Sequence, residues 1–163
     1  SNRLGQVNAI DTLYTQVQTP FIFHCEDDWE FYQEGFISDS REVLMQDRRI
    51  YTVWLRHPND RNGHPVLNGV RLTYNNVRFQ EMAVNYRKHW HGMTWNPGLR
   101  RLSDYRAAGH FSDFCKWNPS DHIQAEIDFN QHYRKLGFSA ATLCRGFVKH
   151  IGNRKSTKIL QAK

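Results

Sequence analysis

Residues 20–31, PFIFHCEDDWEF, constrain this chain more than any other stretch. After Pro20 comes Phe21-Ile22-Phe23, a short apolar run of aromatic and β-branched residues that reads as a buried strand. The run leads into Glu26, Asp27 and Asp28, with Glu30 two positions further on. A strand ending this way delivers negative charge to the rim of a sheet. If the backbone stays extended, Glu26 and Asp28 project to one side, because side chains alternate along a strand. Two ionised carboxylates ~6 Å apart, at an effective dielectric near 20, repel by roughly 3 kcal/mol. A divalent cation, or an arginine or lysine partner, has to offset that repulsion. The same acids also suit a solvated turn, or a helix start in which Asp28 and Glu30 complement the dipole.

The chain around this stretch alternates between helical and extended patterns, which predicts an α/β fold. Val7, Ile10, Leu13, Tyr14 and Val17 share one face of a helix over residues 6–17. A second helix fits residues 33–46, and residues 50–55 (IYTVWL) read as a strand. The turn-forming run 57–65 follows, then alternation at Val70, Leu72 and Tyr74 with Asn75-Asn76 behind it, which predicts a hairpin. Residues 91–98 read as a short strand entering a turn, and residues 99–108 as a short helix closed by Gly109. Asp121 with Gln124 resembles a capping box opening a helix that Gly137 ends, with Ile123, Ile127, Tyr133 and Leu136 as its apolar stripe. Residues 138–143 form a predicted strand, and residues 146–152 carry His150.

At 163 residues the chain suffices for one core. One domain over residues 1–152 and a basic, loosely ordered tail at 153–163 is the expected division. A net charge of +6 favours anionic partners. Cys25, Cys115 and Cys144 are odd in number and widely spaced, which points to reduced, buried thiols and a cytoplasmic setting rather than a disulfide framework. No apolar run approaches membrane-spanning length.

Three groups carry candidate chemistry. Glu26-x-Asp28 suits Mg²⁺ or Mn²⁺, which proteins hold with one or two carboxylates plus substrate phosphates. Glu126 has the character of a general base, although an acid in a first helical turn also simply complements the dipole. His150 is a ligand or phosphate contact, or merely a strand end. His57, Asn59, Asn62 and His64 match no metal-binding spacing. Trp95 and Asn96, with Pro97 and Gly98, suit a loop that stacks on a sugar or base.

Taken in order, these segments resemble the family 2-like glycosyltransferases of the GT-A fold. PFIFHCEDDWEF resembles the strand ending in that family's Asp-x-Asp metal motif, with Glu26 in place of the first Asp. AEIDFNQHYRKLGF, residues 125–138, resembles its catalytic-base segment, placing Glu126 at the base position and Asp128 at the following acid. VKHIG, residues 148–152, resembles its histidine-glycine ending, and WNPGLRRLSDYR, residues 95–106, resembles a segment of a bacterial and viral branch. The resemblance implies a metal-dependent inverting transferase that moves sugar from a nucleotide-diphosphate donor to an acceptor hydroxyl. Asp28, Glu26 and His150 would hold Mn²⁺ or Mg²⁺, and Glu126 would be the base. Asp27, Trp95, Asn96, Arg100, Arg101 and Asp128 would contact substrate. It also implies a partial, Rossmann-like mixed sheet flanked by helices, lacking the N-terminal nucleotide-binding βαβ unit. An uncovered sheet edge would then invite a homodimer. Two other classes compete: a nucleic-acid-binding module, motivated by the basic tail and the five tryptophans, and a metal-dependent nuclease.

Overall fold

A computed structural model describes residues 5–116, 118 and 121–152, without the side chain of residue 122. The basic tail expected at 153–163 lies outside the described residues. The chain runs α1 (Gly5–Thr15), β1 (Phe21–His24), β2 (Trp29–Phe31), α2 (Phe36–Gln46), β3 (Ile50–Trp54), β4 (Arg71–Leu72), β5 (Arg78–Glu81) and β6 (Gly98–Arg101). It continues with α3 (Leu102–Ala108), α4 (Phe111–Phe114), α5 (His122–Lys135), β7 (Ser139–Leu143) and β8 (Val148–His150). Six strands form a mixed sheet in the order β1-β6-β3-β7-β5-β4, and β2 pairs with β8 separately. Among the strands of the described residues, only β3 and β7 pair in parallel, and both are buried along their whole length. Such strands read as unbroken apolar runs because helices or loops cover both sides.

The expected α/β architecture with a mixed sheet and flanking helices is therefore present. Side chains along β3 sort into two cores, with a register shift between Ile50 and Thr52 interrupting strict alternation. Tyr51 and Trp54 join the cluster containing Val7, Ile10, Phe111, Phe129 and Tyr133, while Ile50 and Val53 join Val43, Leu44, Leu99 and Phe147. The first core binds α1, α4 and α5 to the sheet and the second binds α2. At full burial each large apolar side chain contributes about 1.5–3 kcal/mol.

Several expectations needed correction. The helix expected over residues 99–108 begins only at Leu102, and residues 99–101 belong with Gly98 to the strand β6, inserted between β1 and β3. Its two arginines disguise a buried strand, and Gly98 is required there: a Cβ would lie 2.8 Å from Thr52 Oγ1 and from the Val53 carbonyl. The short strand expected at the front of residues 91–98 is instead irregular backbone. In α5 the buried stripe is Ala125, Phe129 and Tyr133, whereas Ile123 and Leu136 are each 50% exposed. Asp121 makes no side-chain cap bond, and Gln124 instead donates to Asp128 Oδ1 at 2.8 Å. Cys25 is exposed rather than buried, and all three cysteines are free.

Candidate functional site

The acidic stretch is a turn between two strands, not the extended rim expected from the sequence and not a helix start. β1 ends at His24, the chain turns through Asp27-Asp28, and β2 begins at Trp29. Because β2 pairs antiparallel with β8, Trp29 lies opposite His150. That register brings Asp28 beside His150, whose Nε2 lies 2.9 Å from Asp28 Oδ2. The Ile151 amide donates to the Asp28 carbonyl at 2.9 Å, closing the backbone around the pair. A Cβ at Gly152 would approach Asp28 Oδ2 and His150 Nε2 to 2.8 Å each, so a larger residue there would displace the pair. Behind the pair, the His150 ring packs on Trp29 at 4.9 Å, and Arg56 covers Trp29 at 5.0 Å.

Glu26 is half-buried and accepts a hydrogen bond from Gln6 Nε2 at 2.7 Å. Burial pushes its carboxyl up from the ordinary range, and the Asp28 and Glu126 carboxylates push it further, against the lowering effect of Gln6 and Arg100. Glu26 thus senses both acids. Asp27, by contrast, is simply exposed.

Glu126 projects from the first turns of α5, where the Thr94 hydroxyl donates to its Oε1 at 2.7 Å. Buried Asn130 makes several of the bonds that hold the loop carrying Thr94. Asn130, one turn along α5, accepts from the His91 and Met93 amides (2.8 and 3.1 Å). It donates to the Met93 and Glu126 carbonyls (2.7 and 2.8 Å). All of its amide capacity is therefore spent fixing the loop against the helix. Glu126 and Thr94 open onto a cavity of about 370 Å³, whose wall includes Trp54, His64, Tyr86 and Trp90. A cavity of this size suits a small ligand, and here aromatic rings alternate with polar and charged side chains along the wall.

Four residues expected to touch substrate are committed elsewhere. Arg100 is fully buried, donating to the Tyr14 hydroxyl at 2.7 Å and to the Thr94 carbonyl. Arg101 lies on the opposite side of β6, bonded to Asp104 at 2.6 Å and to the Leu44, Arg48 and Ile50 carbonyls. Trp95 is a core residue stacked on Phe129 at 5.4 Å. Asp128 ties the segment before α5 to the helix by accepting the Lys116 amide at 2.9 Å. Asn96 does line the cavity. Sequence reasoning missed Thr94, Asn130, Trp54, Tyr86 and Trp90, whose convergence depends on long-range packing. Asn62 and His64, set aside for want of a metal spacing, also line the cavity.

Among the described residues, no group of three or more His, Cys, Asp or Glu side chains is placed to hold a metal ion. The residues present nevertheless fit a cation that takes few protein ligands. Asp28 and His150 offer an oxygen and a nitrogen side by side, and the shielded Asp28 Oδ1 has no hydrogen-bond partner. Mg²⁺ and Mn²⁺ commonly complete such a pair with substrate phosphates and water. No protein-family model, curated protein or solved structure matches the chain. Among the described residues, no helix is long and apolar enough to cross a membrane.

Proposed function

We propose that this chain is the metal- and acceptor-binding part of an inverting glycosyltransferase, one that moves a sugar from a nucleotide-diphosphate donor onto an acceptor hydroxyl. The observation that carries this reading is the Asp28–His150 pair, a carboxylate and an imidazole 2.9 Å apart at the turn that follows β1, a donor set suited to a cation that shares its remaining positions with a diphosphate. Asp28 and His150 would hold Mg²⁺ or Mn²⁺ at the donor diphosphate. When bound, the cation neutralises charge that builds on the leaving nucleotide. Glu126 accepts the proton of the acceptor hydroxyl as that oxygen attacks the anomeric carbon from the face opposite the diphosphate. Thr94 fixes the carboxylate through Oε1, so the base is aimed before substrate arrives. Half-buried Glu26 adds negative charge beside both groups, which strengthens the attraction for a cation.

The test is Mn²⁺-dependent turnover of nucleotide-diphosphate sugars, scanned across donors, with Asp28→Ala and Glu126→Ala alongside. Turnover lost in both variants is the expected result. Undiminished turnover in both would sink the mechanism.

A further inference from the structure

The cavity beside Glu126 has two cationic groups on its wall that the transferase reading leaves unused, Arg61 and Arg87. Neither has a carboxylate partner among the described residues, whereas Arg49, Arg56, Arg71, Arg101 and Arg145 are all engaged by acids. The Arg87 guanidinium instead lies over the Tyr86 ring, 5.1 Å from its centroid. The wall between the two arginines is rigid. The Trp54 indole N–H donates to the Gly92 carbonyl at 2.7 Å. His64 sits between the Trp54 and Tyr86 rings, at 5.7 and 5.1 Å, with Nε2 2.8 Å from the Ala83 carbonyl.

The loops presenting the arginines are held in conformations that side chains other than glycine rarely adopt. Asn62 has φ 50°, and Asn85, Arg87 and Lys88 have φ 62°, 48° and 69°. Left-handed backbone at several non-glycine positions persists only where the surroundings impose it, and it concentrates at ligand-binding segments. Apolar rings, a base and two uncompensated guanidinium groups thus share one cavity. Rings of this kind pack against the apolar face of a sugar, and guanidinium groups bind carboxylate or phosphate in a forked geometry.

Resting on the transferase reading, we infer that the acceptor is an anionic saccharide, its attacking hydroxyl at Glu126 and its carboxylate or phosphate at Arg61 and Arg87. The charged group sets acceptor choice, because a neutral sugar would leave both guanidinium groups without a counter-ion in a partly enclosed site.

The experiment titrates the protein with glucuronate, glucose 6-phosphate and glucose at low salt, following the tryptophan resonances by NMR. The expected result is that at least one anionic sugar binds about tenfold more tightly than glucose. The two anionic arms separate carboxylate from phosphate recognition. The preference should vanish in the Arg61→Gln/Arg87→Gln double variant and survive in Arg61→Lys. Arg61 is only half-buried and Arg87 is exposed, so the exchanges leave the core intact. Equal binding of all three sugars, a preference that persists in the double variant, or binding of none would each overturn the inference. So would an oligonucleotide that binds through the same arginines when no sugar does. The Asp28–His150 pair contributes nothing to this cavity wall, so Mn²⁺ binding there can succeed while the acceptor inference fails.

Discussion

The two faces of the sheet are built on different principles. On the α2 face, Val43, Leu44, Ile50, Val53, Leu55, Leu99 and Phe147 form an apolar core, bordered by the buried Arg101–Asp104 pair. The α1/α5 face is also buried but is threaded with polar groups: Asp11, His24, Arg100 and Asn130 all lie within it, bonded across elements. An apolar core is indifferent to small shifts, since burial is non-directional. Hydrogen bonds fix direction as well as distance. The directional face is the one that carries Thr94, Glu126 and the cavity, while the apolar face anchors the sheet that supports them. The adjacent arginines of β6 express the contrast, with Arg100 aiming the Thr94 loop and Arg101 fastening α2 and β3.

The contrast breaks first at Asn130. Asn130→Ala strips partners from three buried backbone groups of the loop, the His91 and Met93 amides and the Met93 carbonyl, and at 1–3 kcal/mol for each unsatisfied group the expected loss, after relaxation, is about 4 kcal/mol. Urea unfolding measures it, and anionic sugar binding should vanish even where the protein remains folded. On the apolar face, Leu44→Ala should cost about 3 kcal/mol through lost transfer energy and a cavity. Because nothing directional is lost, ligand affinity at saturating fold should be unchanged. A loss of affinity comparable to that of Asn130→Ala would erase the distinction between the faces.

His24 gives the polar face a pH signature. Burial, and secondarily the Arg100 charge, lower its pKa from 6.5 to about 2, so the folded protein requires a neutral imidazole. The folded pKa lies below the unfolded one. The contribution to stability is therefore complete above pH 6.5 and declines as the pH falls below it. At pH 5 the loss amounts to about 2 kcal/mol. Urea midpoints between pH 7.5 and 5 should fall accordingly, and His24→Asn should flatten that fall. Thr94→Val is the most local perturbation, costing about 2 kcal/mol by removing the bond donated to the Glu126 carboxylate and the one accepted from the Asn96 amide. Its signature should appear in turnover, with donor binding unchanged.

Most elements were legible from periodicity: the α1 stripe apart from the exposed Leu13, the aromatic strand β1, the IYTVWL strand, the β4–β5 hairpin and α5 with its glycine stop all lie close to where the sequence predicts. β6 was not, because paired arginines in a central strand contradict the usual pattern. They are tolerated only because each guanidinium finds acceptors from other elements. The apolar side of α5 was only partly legible: Tyr133 faces the aromatic core as expected and Phe129 joins it, while Ile123 and Leu136 are half exposed. Asp28 was left open between a metal ligand, a turn and a helix start. Only the long-range β2–β8 register sets it in a turn beside His150. The cavity wall was the least legible part, since Trp54, Tyr86 and Trp90 acquire meaning only when loops far apart in sequence fold together.

The most direct test of the account is the response of the His150 imidazole to Mn²⁺, read by NMR with His150→Gln providing the assignment. With a nucleotide diphosphate present, paramagnetic broadening should strike the His150 ring and the backbone of Asp28 first, and Asp28→Ala should abolish it. If Mn²⁺ leaves His150 sharp, or broadens it equally in Asp28→Ala, the pair does not hold a metal and the transferase reading loses its centre.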